Sequence, residues 1–187
     1  MAIAITEDHR QLAAVATDFC TRNDALGLAR ATRDADTDGT PLWRDLATLG
    51  WLGLHLPESH GGSGYGLGEL GVVLETTGAR LLPGPFLPTV LAAHVVDRVG
   101  DAALRDALLP GFADGSRIGG VGRINGAVLG AEHAHTLVLV DGDDVVVIAA
   151  DAPGVTITTR GNIDRSRRSA RYRWIQLGLR PVSLRCA

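Results

Sequence analysis

The chain has no lysine: all 18 of its basic residues are arginine. With Ala, Gly and Val abundant, this reports the codon usage of a GC-rich genome rather than any chemistry. No stretch of about 18 uncharged apolar residues occurs, which predicts no membrane span. No cationic start precedes an apolar run, which predicts no secretory leader. The only two cysteines, Cys20 and Cys186, stand far apart. They form neither a CxxC pair nor a disulfide framework, so two incidental thiols in a reducing cytoplasm are expected. No GxSxG elbow marks a serine nucleophile, and no HExxH spacing marks zinc. There is no internal repeat and no low-complexity segment. What is present suits a globular protein: 187 residues, 45% hydrophobic and 21% charged, enough to bury a core and to make one or two domains.

Charge is unevenly spread behind a net value of −3. Residues 1–159 carry 10 Arg against 20 acids, whereas residues 160–187 carry 8 Arg against Asp164 alone. A basic tail can be a phosphate or RNA surface. Aromatic interleaving there is limited to Tyr172 and Trp174, so no nucleic-acid partner is expected. Trp174 to Ala187 has no clean alternation. A shift of reading frame near Arg173 accounts for its Arg, Pro and Gly better than a binding surface does.

The pattern along the chain predicts helices first. Thr6 is an N-cap with Glu7 and Asp8 in the first turn, followed by Leu12, Val15, Ala16 and Phe19 at helical spacing. A short helix is expected over Asp24 to Arg33. Thr40-Pro41 reads as an N-cap with Pro at the first helical position, Leu46 and Leu49 as a buried face, and Gly50 as the stop. Further helices are expected over Leu67 to Arg80, Leu87 to Val99 and Asp101 to Leu109. After Gly115 the runs turn β-branched: Ile118 to Val121, Thr136 to Val140, and Val145 to Ala150 across an Asp-Gly turn that reads as a hairpin. Val155 to Thr159 follows a Pro-Gly turn.

Chemistry-bearing patterns are sparse. Gly66, Gly68 and Gly71 match G-x-G-x-x-G, but a nicotinamide site needs a preceding strand and a βαβ unit, and here a helix and a Pro/Gly loop precede it. Positive φ in a loop is the expected use of these glycines. His55, Glu58 and His60 lack ligand spacing. Glu132, His133 and His135 form a denser cluster, with both histidines on one face if the segment is a strand. No third or fourth ligand is evident, so no metal is expected.

Leu46 to Arg80 resembles the N-terminal helical domain of acyl-CoA dehydrogenases. That family's "L-x-x-L-G-L-x-G-L-x-x-P-E-x-x-G-G-x-G" is matched at Leu46, Leu49-Gly50-Trp51, Gly53-Leu54, Pro57-Glu58, Gly61-Gly62 and Gly64, and continued by Leu74-Glu75-Thr76-Thr77-Gly78. Asp101 to Gly115 resembles the family's last N-terminal helix and its turn into a β domain. The triplet Ile124-Asn125-Gly126 resembles its "I-N-G-x-K-x-W-I-T" strand. The family's "T-E-P-x-x-G-S-D" loop, which contacts flavin and substrate, has no counterpart. The "W-I-T" position falls at Val128-Leu129-Gly130, without the Trp or the Thr. Residues 82–88 and 164–170 resemble actinobacterial members with diverged β domains.

The resemblance implies an α+β fold: an all-helical bundle over residues 1–115, then an incomplete antiparallel β domain over 116–187 with an aberrant tail, the family's C-terminal four-helix domain being absent. It implies FAD-dependent α,β-desaturation of an acyl-CoA thioester, with Val128, Leu129 and Gly130 as the cofactor-contacting residues and FAD as the cofactor. The family's base is a glutamate of the C-terminal domain, and none of Glu7, Glu58, Glu69, Glu75 or Glu132 matches it. No catalytic residue is therefore assigned, and the chain is expected to be incomplete and inactive alone. The alternatives are a non-catalytic partner subunit that oligomerises with a full-length relative, or a frameshifted fragment without function.

Overall fold

The computed structural model describes residues 5–34, 40–124, 126–159, 169–174 and 182–185. Six helices come first: α1 (Glu7–Arg22), α2 (Ala25–Asp34), α3 (Trp43–Thr48), α4 (Leu67–Ala79), α5 (Phe86–Val99) and α6 (Ala102–Ala113). Seven strands follow: β1 (Gly119–Arg123), β2 (Ala127–Leu129), β3 (Thr136–Asp141), β4 (Asp144–Ala149), β5 (Val155–Thr159), β6 (Ser169–Trp174) and β7 (Val182–Arg185).

Local chemistry sets the helix ends. Thr6 Oγ1 accepts from the His9 amide at 3.2 Å, and the Thr6 amide donates to His9 Nδ1 at 3.1 Å, a reciprocal cap on α1. Asp101 caps α6 by accepting from the Leu104 amide at 2.8 Å. The expected start at Thr40-Pro41 is corrected: α3 begins at Trp43, because the Trp43 amide bonds to the Thr40 carbonyl and closes a turn ahead of the helix. α6 also runs past its expected end at Leu109. Pro110 lies within it, and the Asp114 amide still reaches the Pro110 carbonyl at 3.0 Å. The positive φ angles of the Gly-rich connection fall at Gly61 and Gly64, whereas Gly66 is extended at the start of α4, with Gly68 and Gly71 inside the helix.

The strands form one sheet in the order β5-β6-β2-β1-β3-β4-β7. All neighbours are antiparallel except β1 and β3, which run parallel from Gly119↔Thr136 to Arg123↔Val140. β3 and β4 are joined by the expected Asp-Gly turn, with Gly142 at φ +61°. Both faces of this pair are buried. Val138, Val145 and Val147 pack with Ala92, Val96, Leu109 and Phe112 of α5 and α6. Leu137, Leu139, Val146 and Ile148 form a second core on the opposite face, together with Val128. Burial on both sides explains why these strands read as continuous apolar runs rather than as alternation. Val155 and Ile157 of β5 reach that second core although β5 lies four places from β3, so the sheet curls over its own face.

Close contact between α5 and β1 ties helices to sheet. A Cβ on Gly119 would fall 2.5 Å from the Ala92 methyl, so only glycine lets the helix sit this near the strand. The Gly119 amide donates to the buried Thr89 hydroxyl at 3.1 Å in the same contact. A third core joins α1, α3 and α4 through Ala16, Leu46, Trp51, Leu70 and Val73, with Phe19 edge-on to Trp51 at 5.2 Å. No described helix is long and apolar enough to cross a membrane. Asn125, residues 164–168 of the 164–170 motif, and residues 175–181 of the tail near the supposed frame change lie outside the described residues.

Candidate functional site

A cavity of about 460 Å³ opens between α4, the link into α5, and the end of β2. This volume lies within the usual range for small-molecule sites. Its wall is mostly apolar: Leu74 and Gly78 of α4, Leu82, Phe86, Leu87, Pro88, and Leu129. Thr32, Glu75, Thr77 and His133 supply the polar groups.

The way α4 ends shapes one side. The Leu82 amide bonds to the Thr77 carbonyl and the Leu81 amide to the Gly78 carbonyl, both at 3.0 Å. This is the Schellman pattern, with Leu81 in the left-handed position at φ +55° where glycine is usual. Pro83, Gly84 (φ +107°) and Pro85 then turn the chain into the first turn of α5. Opposite, Gly130 at φ +71° closes β2; a Cβ there would meet Pro88 Cγ at 2.7 Å. By contrast a Cβ on Gly78 meets nothing within 4 Å, so this part of the wall is open space.

Two of the cavity's polar groups are already engaged within their helices. Thr77 Oγ1 donates to the Val73 carbonyl at 2.7 Å, and Thr32 Oγ1 to the Leu28 carbonyl at 2.9 Å. Glu75 is exposed at the rim.

Of the three residues singled out in sequence, Leu129 and Gly130 line this cavity. Val128 does not: it is fully buried in the core on the other face of the sheet. Side chains alternate along a strand, so Val128 and Leu129 point to opposite faces of β2. The remaining candidates scatter. Residues 130–135 are a turn rather than a strand, which separates the two histidines: His133 faces the cavity, while His135 Nδ1 accepts from the Ile118 amide at 2.9 Å. His60 Nε2 bonds to Asp106 at 3.0 Å, and His55 is buried beside His94. Among the described residues no group of three or more His, Cys, Asp or Glu could hold a metal ion. Burial pushes the Cys20 thiol above its ordinary pKa, with Arg80 opposing. Sequence reasoning missed the wall contributed by Gly78 and residues 82–88. The signal was there in Pro83-Gly84-Pro85, a rigid turn that brings the start of α5 against α4.

The profile described as "Acyl-CoA dehydrogenase, N-terminal domain" matches residues 6–116. The acyl-CoA dehydrogenase IpdE2 of Mycolicibacterium smegmatis is 34% identical over 116 residues, which are 61% of this chain and 36% of that protein. The acyl-CoA dehydrogenase FadE12 of Mycobacterium tuberculosis is 37% identical over 78 residues, which are 40% of this chain and 20% of that protein. The chain thus matches about a fifth to a third of the length of these curated relatives. Among solved structures, the Tcur3481-Tcur3483 steroid ACAD superposes with a TM-score of 0.76 at 29% identity, covering 97% of this chain and 57% of that one. The ChsE4-ChsE5 complex from Mycobacterium tuberculosis gives 0.80 at 21% identity, covering 98% and 59%. A glutaryl-CoA dehydrogenase from Mycobacterium smegmatis, in complex with FADH2, gives 0.73 at 19% identity, covering 96% and 54%, which speaks to the fold alone. With the family profile spanning more than half of its residues and the same helices-then-sheet architecture, this chain belongs to the acyl-CoA dehydrogenase family.

Proposed function

We propose that the cavity between α4, residues 82–88 and the β2 turn receives the acyl part of an acyl-CoA thioester, and that the chain contributes this wall to α,β-desaturation. One observation carries the reading: an open, largely apolar cavity of about 460 Å³ whose wall is Leu74, Leu82, Phe86, Leu87, Pro88 and Leu129. Withdrawing an acyl chain from water contributes about 0.8 kcal/mol per buried CH₂. The few polar groups at the wall give such a chain nothing to pair with, and need nothing from it.

The same residues do not fit a flavin. An isoalloxazine edge and a pyrophosphate call for hydrogen-bond donors and positive charge. Among the described residues, the cavity offers no arginine, and the Thr32 and Thr77 hydroxyls are committed to helix carbonyls. Val128-Leu129-Gly130 stands where the family resemblance has Trp-Ile-Thr. FAD therefore belongs to groups outside this cavity wall, and no step through it is derived for this chain.

A second reading, the partner subunit, is favoured by that mismatch and by the ChsE4-ChsE5 neighbour, which is a complex. On this reading the chain docks on a relative that holds the flavin.

Calorimetric titration of the full chain with an acyl-CoA and with CoA itself tests the cavity. The expected result is at least tenfold tighter binding of the acyl-CoA; equal affinities would overturn the reading. The visible spectrum after gel filtration with FAD tests the partner reading. No flavin band is expected from the chain alone, and a stoichiometric band would contradict it.

A further inference from the structure

His55 lies in the connection between α3 and α4, between Leu54 and Leu56, whose side chains enter two different cores. It is 9% exposed, and both its ring nitrogens are buried without a hydrogen-bond partner. The nearest ring is that of His94 on α5, with centroids 5.7 Å apart and planes at 51°. A neutral imidazole tolerates this place as a flat, mostly apolar plate. An imidazolium tolerates it less, because burial and the neighbouring His94 oppose a charge that Asp97 and the Val90 backbone favour only in part.

We propose that His55 and His94 form an acid-sensitive latch between residues 51–65 and α5, seated while the rings are neutral and released when His55 takes a proton. The segment is bonded within itself by the amides of Leu56 to the Gly53 carbonyl, Gly64 to the Leu56 carbonyl and Tyr65 to the Leu54 carbonyl, at 2.9–3.1 Å.

The charges around the latch come from α5 and α6. His94 opposes protonation of His55, whereas Asp97 and the Val90 backbone favour it, all from α5. Toward α6 the segment's other imidazole, His60, is held by Asp106. Burial, with His94 second, lowers the His55 pKa to about 4 from an ordinary 6.5. The unfolded or released state therefore binds more protons between these values. Seating is complete above about pH 6.5 and weakens as pH falls toward 4. The inference does not depend on what the cavity binds.

Native-state hydrogen exchange of the full chain, corrected for intrinsic rates, tests it between pH 7.5 and 5.0. The amides of Leu56, Gly64 and Tyr65 should lose at least tenfold in protection at pH 5.0, while Leu70 and Val73 of α4 keep theirs. His55→Phe, which keeps a flat apolar ring, should abolish the loss. If that variant does not fold, His94→Gln gives the second reading, moving the loss to lower pH by removing the like charge. Unchanged protection in the native chain at pH 5.0, or the same loss in His55→Phe, would overturn the latch.

Discussion

Leu81 is an L-residue in a conformation that costs most side chains about 1–2 kcal/mol. It is held there because the Schellman hydrogen bonds that end α4 require a left-handed residue at this position, and its side chain is 50% exposed, so packing returns little. Leu81→Gly should therefore stabilise the chain by up to about 1 kcal/mol, read as a higher denaturant midpoint at unchanged slope. A lower midpoint would mean that the leucine packs more firmly than its exposure implies. At this scale the sequence was informative where chemistry is local: Thr6 as a cap, Gly50 as a helix stop and Gly142 in the hairpin turn all stand where expected. It says less where geometry is cooperative. Val128 sits one residue from Leu129 and yet points into the opposite core, which a motif match alone does not say.

At the scale of elements, α1 and α4 are joined end to side by one relay. The Thr6 amide donates to His9 Nδ1, so that nitrogen is bare and Nε2 carries the hydrogen, which it gives to Glu69 Oε1 at 3.2 Å. Glu69 Oε2 in turn accepts from the Gly66 amide at 2.9 Å, at the start of α4. Backbone N–H groups, its own first and then that of Gly66, with His9 adding to them, hold the Glu69 carboxyl below its ordinary pKa. Its share of stability is thus present above the ordinary carboxylate range and is lost as pH falls through it. Glu69→Ala removes both acceptors and should cost about 1 kcal/mol, or roughly 3 °C in Tm for a chain of this size. A Tm unchanged at pH 7 would show that the relay contributes nothing. This joint was invisible in sequence because its partners are 60 residues apart. The same holds for β2, β6 and β7. Only pairing with distant strands defines them, whereas β3 and β4 announce themselves by apolar runs and a turn.

For the molecule as a whole, two sets of helix contacts converge on one place. α5 is clamped to β1 at Gly119, and β2 is pressed on Pro88 at Gly130, so the cavity lies where sheet and helices close on each other. The order of elements and the family were legible in the Leu46 to Arg80 motif, because a Gly- and Pro-punctuated connection constrains many residues at once. The cavity was not, because four separate segments build it. Its central property, open apolar space beside Gly78, can be removed by one substitution, since a side chain added there meets no atom within 4 Å and fills the space instead. The affinity of the Gly78→Leu chain for an acyl-CoA, measured beside its affinity for CoA, tests this most directly. The account predicts at least a tenfold loss for the acyl-CoA with CoA unchanged; equal effects on both ligands, or none on either, would contradict it.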